Sequence, residues 1–295
     1  MIAYDHQTIL TNGVRLHVVL AGPSDGQPVI LLHGFPEFWY GWHNQINFLA
    51  EHGYRVIVPD QRGYNLSEKP TGIENYDLTV LAKDVTGLMD ALGYEQTYLV
   101  GHDWGAAVSW WTATLFPERI KKMAILNVPY PTLMGKAYQS GNIAQLFKSW
   151  YIFFFQIPKL PDAMLGAMNA RGIERVLLSS SKHNSFSEED LVEYRRAWTQ
   201  PGAITAMLNW YRAAGRTFMS LRPPKNAAQQ PAPRVRVPTL ILWGERDVAL
   251  DKSLAQPSLD MCEEGRVVFF PKATHWVQHD EADAVNANLI EHLRD

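Results

Sequence analysis

The chain has 295 residues, of which 46% are hydrophobic and 19% charged, and its formal net charge at pH 7 is −3. This composition can supply a globular core, and the near-neutral charge gives no basic face for binding nucleic acid. No apolar run approaches the about 20 residues that span a bilayer, no secretory signal opens the chain, and the single cysteine excludes an internal disulfide, so we expect a cytoplasmic protein.

Strand and helix patterns alternate in the first part of the chain. Asn12-Gly13 predicts a two-residue hairpin turn between two strands. Apolar runs at 29–32, 56–58, 97–100 and 123–126 predict buried strands, and helical patterns at 42–51 and 78–92 separate some of them. This alternation predicts an α/β protein whose mostly parallel sheet binds its ligand at the carboxyl ends of the strands.

The pattern changes at Pro129, where aromatic-rich helical stretches replace the alternation up to about residue 222. Proline-rich sequence at 223–233 then predicts a linker. Strand patterns at 239–243 and 267–270 and a helix at 282–292 restore the α/β pattern. We therefore expect a core formed by residues 1–128 and 229–295, and an inserted helical cap domain of residues 129–228.

The most informative motif is Gly101-His102-Asp103-Trp104-Gly105, between a predicted strand and a predicted helix. In this context two glycines favour a nucleophile elbow, a tight turn that exposes its central side chain. Here that residue is Asp103 instead of the usual serine. A carboxylate that attacks saturated carbon leaves an ester, which water can cleave, whereas a serine would leave a stable ether. The motif thus indicates displacement at an alkyl carbon; the competing interpretation is that Asp103 only caps the helix.

Hydrolysis of such an ester needs a base, for which a histidine is suited. His275 follows the strand at 267–270 and is the best-placed of ten histidines, whereas His279 is expected at the surface or as a cap of the last helix. Asp247 follows the strand at 239–243 and is the expected partner that orients His275. Asn127 occupies the alternative position for such an acid and carries no charge.

The oxyanion that forms during ester hydrolysis needs backbone N–H donors. In an elbow fold the donors are the amide after the nucleophile, here that of Trp104, and one from the first loop after a core strand. The sequence His33-Gly34-Phe35-Pro36 provides that loop, with the amide of Phe35 as the second donor. An ordinary glycine turn after a buried strand is the alternative interpretation.

Several segments resemble the epoxide hydrolases of the α/β-hydrolase fold over nearly the whole chain, namely His33–Glu37, Arg62–Pro70, Gly101–Gly105, Gly244–Asp247 and His275-Trp276. The resemblance implies a mostly parallel central sheet flanked by helices, a helical cap, and conversion of an epoxide and water to a vicinal diol without a cofactor or metal. Haloalkane and haloacetate dehalogenases are sister families with the same type of nucleophile, and they remain the alternative. A non-catalytic ligand receptor on this fold is a further alternative.

The leaving group distinguishes the families, because an epoxide oxygen needs a proton donor and a halide does not. Epoxide hydrolases carry two cap tyrosines for this purpose. By resemblance, the segment Leu208–Arg212 points to Tyr211, and the segment before Phe155-Gln156 points to Tyr151, with Tyr194 and Tyr130 in reserve. Haloacetate dehalogenases have an arginine where this chain has Trp104, and haloalkane dehalogenases often have an asparagine where it has Phe35, so we favour an epoxide hydrolase.

The chain contains ten tryptophans and twelve tyrosines, which indicates an aromatic pocket. We therefore expect a lipophilic epoxide and water as partners, and the sequence is also compatible with a homodimer. Besides Phe35 and Trp104, the side chains expected to line the substrate pocket are Phe38, Trp39, Trp150, Phe154 and Trp276.

Overall fold

A computed structural model of the chain describes residues 2–139, 143–220 and 234–294. Its eight strands are β1 (Asp5–Thr11), β2 (Val14–Ala21), β3 (Gln27–Leu32), β4 (Tyr54–Pro59), β5 (Thr97–His102), β6 (Ile120–Leu126), β7 (Thr239–Gly244) and β8 (Gly265–Phe270). They form one sheet in the order β1-β2-β4-β3-β5-β6-β7-β8. The predicted proline-rich linker at 223–233 and the predicted domain boundary at residue 229 lie outside the described residues.

Helices lie on both sides of this sheet. Those between and after the strands are α1 (His43–Glu51), α2 (Leu78–Ala91), α3 (Trp104–Leu115), α10 (Ala255–Leu259), α11 (Val277–Asp280) and α12 (Ala282–Leu293). Those between β6 and β7, which we call the helical insertion, are α4 (Pro131–Gln139), α5 (Ile143–Lys148), α6 (Trp150–Phe154), α7 (Leu160–Ser180), α8 (Glu188–Trp198) and α9 (Ala203–Ser220). Within the described ranges no helix has the length and apolar character needed to cross a membrane.

The sheet is parallel except at β2, which pairs antiparallel with both β1 and β4. The β1–β2 hairpin turns at Asn12-Gly13, where both residues have positive φ, as the sequence predicted. The pairings β3–β4, β3–β5, β5–β6, β6–β7 and β7–β8 are all parallel. The predicted mostly parallel sheet is therefore confirmed, and its parallel strands all end at the same edge.

Apolar side chains pack against both faces of the sheet. On β3 the alternation is regular, because Ile30 and Leu32 face one core cluster and Val29 and Leu31 face the other. The first cluster includes side chains of α2, α3 and the helical insertion, whereas the second includes those of α1 and α12. Burial on both faces explains why these strands are continuous apolar runs in the sequence.

The start of α3 lies unusually close to the end of β3. A Cβ atom added at Gly105 would lie 2.1 Å from the carbonyl oxygen of Leu32, a distance that backbone atoms cannot accommodate without movement. Glycine at this position is therefore required by the close approach of β3 and α3, in addition to any requirement of the turn before it.

We predict that Gly105→Ala lowers the free energy of unfolding by about 1–3 kcal/mol, because the added methyl group must displace backbone atoms. Denaturant unfolding measures this change. Gly166→Ala is the matched control, since the nearest atom to its added Cβ is 4.0 Å away, and it should cause no loss of stability. Equal losses in the two variants would contradict the prediction.

Candidate active site

Asp103 lies in the turn between β5 and α3 with φ 50° and ψ −123°, a conformation that costs a non-glycine residue about 1–3 kcal/mol. Its side chain accepts no capping hydrogen bond from α3, so the interpretation of Asp103 as a helix cap is wrong. Gly34 permits the turn to approach, because a Cβ there would lie 2.2 Å from the Cβ of Asp103. The strained turn thus holds the carboxylate above the carboxyl edge of the sheet.

The two carboxylate oxygens of Asp103 have different partners. The Phe35 amide donates a 2.7 Å hydrogen bond to Oδ1. His275 Nε2 lies 3.3 Å from Oδ2. No hydrogen bond from the Trp104 amide to Asp103 is present among the described residues. One of the two predicted oxyanion donors therefore contacts the carboxylate directly, and the two oxygens are chemically distinct.

On its other side, His275 contacts Asp247, with Nδ1 2.7 Å from Oδ2. The second oxygen of Asp247 accepts hydrogen bonds from the backbone amides of Ala249 and Leu250, at 2.7 and 2.9 Å. The side chains of Asp247 and His275 are nearly inaccessible to solvent. The loops after β5, β7 and β8 thus bring together Asp103, Asp247 and His275. Each residue follows the strand after which the sequence placed it.

Charge couples the three side chains. Burial by itself lowers the pKa of His275, but the two flanking carboxylates outweigh it and raise that pKa to about 10. Burial raises the pKa of Asp103 and of Asp247, and the contacts with His275 reverse this, so that both pKa values lie below the usual range. At neutral pH the free site therefore holds two carboxylates around one imidazolium.

Asn127 is a site residue whose contribution the sequence did not indicate. Its Nδ2 donates a 2.8 Å hydrogen bond to Asp247 Oδ2, and its Oδ1 accepts one of 2.9 Å from the amide of Gly244. Its φ of 56° lies in the left-handed region, which asparagine tolerates better than most residues. Asn127 carries no charge, as expected, but it ties Asp247 to the end of β7.

Two tyrosines of the helical insertion face this charge cluster. The rings of Tyr151 on α6 and Tyr211 on α9 lie 5.8 Å apart, and Tyr211 packs 5.0 Å from Trp104. Burial and the negative charge of Asp103 raise the pKa of Tyr211 well above its usual value. The phenol of Tyr211 is therefore fully protonated at neutral pH and available as a donor.

Asp103, Tyr151 and Tyr211 line two adjoining cavities. The larger has a volume of about 520 Å³ and also contains His275 and Trp276. The smaller, of about 220 Å³, contains Trp104 and is lined mostly by apolar side chains. The carboxylate thus lies where two largely apolar spaces meet.

Sequence comparison identifies the fold family. Residues 27–282 match the family model described as the alpha/beta hydrolase fold. The chain belongs to the α/β-hydrolase fold family. It is 41% identical over 288 residues to an AB hydrolase superfamily protein of Bacillus subtilis, and the aligned region covers 98% of this chain and 97% of the relative.

Further relatives of this α/β hydrolase have names that include an activity. Epoxide hydrolase A of Mycobacterium tuberculosis is 34% identical over 313 residues, covering 96% of this chain and 95% of that protein. Among solved structures, the Bacillus megaterium epoxide hydrolase in complex with an inhibitor matches with a TM-score of 0.87 and 29% identity, covering 98% of this chain and all of that chain. Similarity to these proteins thus extends over the whole α/β hydrolase and includes the helical insertion.

The structure corrects part of the predicted pocket. Of the five aromatic side chains expected there, Trp150, Phe154 and Trp276 line the larger cavity, as Phe35 does. Phe38 and Trp39 line neither cavity, so their assignment was wrong. Phe38, just before a 3-10 helix that begins at Trp39, packs 5.4 Å from Tyr194, and Trp39 packs 5.7 Å from Tyr4, so both rings are occupied by other contacts.

A second buried polar cluster lies behind the site and was not predicted. The carboxylate of Glu37 contacts His102, Gln278 and His279, and accepts a 2.6 Å hydrogen bond from the hydroxyl of Tyr194 on α8. The side chain of His279 is only 2% exposed, so its expected surface position was wrong. Burial raises the pKa of Glu37, but the neighbouring histidines outweigh this and hold it well below the usual range.

The Glu37 cluster reaches the site at two points. His102 Nε2 lies 2.8 Å from the backbone carbonyl oxygen of His275. Glu37 itself follows the loop that carries the Phe35 amide. The hydroxyl of Tyr194, a reserve candidate for the proton donor, is thus committed to Glu37, and that of Tyr130 lies 3.3 Å from the hydroxyl of Thr114.

We predict that Asp247→Asn lowers the pKa of His275 from about 10 toward its usual value, because a negative charge that favours the imidazolium is removed. Titration of the imidazole by NMR measures this value. Asp283→Asn, on the exposed side of α12, removes a distant carboxylate and is the control. A His275 pKa that is the same in Asp247→Asn and in the control would contradict the coupling.

Proposed function

We propose that the protein is an epoxide hydrolase that converts lipophilic epoxides and water to vicinal diols through a covalent ester on Asp103. One observation carries the proposal: the Asp103 carboxylate contacts both a backbone amide and the His275–Asp247 pair in a cavity that also contains Tyr151 and Tyr211. The names and whole-chain similarity of the relatives support the same activity.

In the first step, Oδ2 of Asp103 attacks a ring carbon and the carbon–oxygen bond of the epoxide breaks. Oδ2 is the proposed nucleophile because Oδ1 is bound by the Phe35 amide and would become the carbonyl oxygen of the ester. Tyr151 and Tyr211 hold the ring oxygen, and one of them transfers its proton to it. The raised pKa of Tyr211 keeps that proton in place until the basic alkoxide develops.

In the second step, the imidazolium of His275 first gives its proton to the tyrosinate that ring opening left. The neutral imidazole then removes a proton from water, which attacks the carbonyl carbon of the ester. Esterification supplies the base at the right moment, since it removes the Asp103 charge that helps to raise the pKa of His275. The amide of Phe35, and in our proposal that of Trp104, stabilises the oxyanion by about 2.7–4 kcal/mol per donor. The diol oxygen leaves, one water proton reaches the diol, the other remains on His275 and restores its imidazolium, and the water oxygen remains in Asp103.

Three further features belong to this proposal. The helical insertion acts as the cap domain, residues 129–228, and supplies both tyrosines. Cys262 is buried and free, in keeping with a reducing cytoplasmic location. The homodimer with which the sequence is compatible stays a prediction.

We predict that His275→Gln accumulates the ester, because ring opening proceeds without the base that hydrolysis needs. Intact-protein mass spectrometry after incubation with styrene oxide should detect an increase equal to the mass of the epoxide. Asp103→Ala should form no adduct. In wild-type enzyme, a single turnover in ¹⁸O-labelled water should transfer the label to Asp103 and leave the first diol unlabelled.

Labelled diol in the first turnover would contradict the covalent scheme and indicate direct attack of water on the epoxide. A second outcome is that no epoxide of a panel reacts: His275→Gln forms no adduct and the wild-type protein forms no diol. This outcome would favour the non-catalytic receptor. The two results separate the mechanism from the activity.

We predict that Tyr151→Phe and Tyr211→Phe each lower kcat for epoxides. Complete loss of the proton donor lowers kcat by about 10²–10⁴-fold, and the loss is smaller in a variant whose remaining tyrosine donates the proton instead. Steady-state kinetics measures this loss. Tyr130→Phe is the matched control, because that buried tyrosine lines neither cavity. Bromide release from a bromoalkane that exceeds diol formation, and that survives both tyrosine substitutions, would instead favour the haloalkane dehalogenase.

A further inference from the structure

Exposed apolar side chains belong to the lining of the two cavities, and most of them line the larger one. Trp150 on α6 and Met164 on α7 are 65% and 54% exposed, and both line the cavity. Val176 and Val248 also line it and are exposed. Phe153, which lines the smaller cavity, is exposed as well. We call these five side chains the entrance surface. Exposed apolar groups that cluster around an opening mark an interaction site more often than isolated ones do.

The unpaired charges next to the entrance surface are positive. Arg175 lines the larger cavity, and Arg171 lies one turn earlier on α7; both are exposed, and neither has an ion-pair partner among the described residues. The two acidic side chains of α7, Asp162 and Glu174, are neutralised by Arg212 and Arg195. Two unpaired positive charges therefore lie on the helix beside the entrance, although the chain as a whole carries a net charge of −3.

We propose that the entrance surface docks on anionic phospholipid, with Trp150 and Phe153 in the interfacial region and Arg171 and Arg175 against the headgroups. Aromatic and aliphatic side chains next to arginines are the combination that binds such surfaces. Because the cavity opens within this surface, a lipophilic substrate passes from the lipid to Asp103 without crossing water. This last step rests on the proposed function, whereas the docking itself does not.

Charge argues against a second copy of the chain as the occupant. In a symmetric dimer the same patch of both subunits meets across the two-fold axis. Here that arrangement would bring Arg171 and Arg175 of one subunit toward the same positive surface of the other, with no unpaired acidic side chain of α7 to compensate. Anionic headgroups supply the negative charge that the paired acidic side chains of α7 do not.

The test is flotation of the full chain, without substrate, with vesicles of phosphatidylcholine alone or mixed with phosphatidylglycerol. We expect binding to the mixed vesicles only, and weaker binding as salt is added. Each of Arg171→Gln and Arg175→Gln should weaken it roughly fivefold, and Trp150→Ser should weaken it further. There are two matched controls. Arg236→Gln changes an exposed arginine just before β7, and Leu10→Ser changes a leucine of β1 that is 64% exposed, close to the 65% of Trp150. Both variants should bind as the wild-type chain does.

Failure of the wild-type chain to float with anionic vesicles, or equal losses in the control variants, would overturn the proposal. If the wild-type chain is instead a dimer in solution, does not float, and becomes a monomer on Trp150→Ser, the entrance surface is a contact between subunits and the proposal is wrong. Hydrolysis of styrene oxide in free solution tests the proposed function separately. Epoxide turnover without flotation contradicts only the docking proposal, and flotation without turnover contradicts only the proposed enzymatic activity.

Discussion

The backbone of Asp103 is the constraint on which the rest of the site depends. A turn with φ 50° persists only where its surroundings hold it, and two close approaches do so here: Gly34 against Asp103 itself and Gly105 against the carbonyl of Leu32. Because the turn follows a central strand, the carboxylate is raised to the edge where the loops after β3, β7 and β8 meet. Strain in one residue thereby determines where every partner must lie.

Burial and charge are balanced in this cluster. Two carboxylates and one imidazole are removed from water, and each is retained because the others compensate for its desolvation. The proposed ester formation disturbs that balance, because it removes the charge of Asp103 and so lowers the pKa of His275. The neutral imidazole that the next step needs is then easier to form. The Glu37 cluster adds a third buried carboxylate that is paired in the same way, and Tyr194 connects it to the helical insertion.

The helical insertion contributes to chemistry and to access. Its inward side chains, Tyr151 and Tyr211, face Asp103 and give the site its proposed proton donors. Its outward side chains on α6 and α7 form the apolar, positively charged entrance. A short helix such as α6 can serve both purposes, because Tyr151 points to the cavity while Trp150 and Phe153 remain largely exposed.

Sequence by itself determined the features that depend on neighbouring residues. The Asn12-Gly13 hairpin, the order of strands and helices, the turn at Asp103 and the positions of Asp247 and His275 after their strands all follow from local patterns and from the rule that parallel strands end at one edge. Only the tertiary structure decided what depends on partners far along the chain. Glu37 and His279 are 242 positions apart, and Asn127 and Asp247 are 120 apart. The burial of the His279 side chain and the packing of Phe38 against Tyr194 and of Trp39 against Tyr4 were likewise decided by tertiary contacts, since no local pattern records which distant side chain fills a given space.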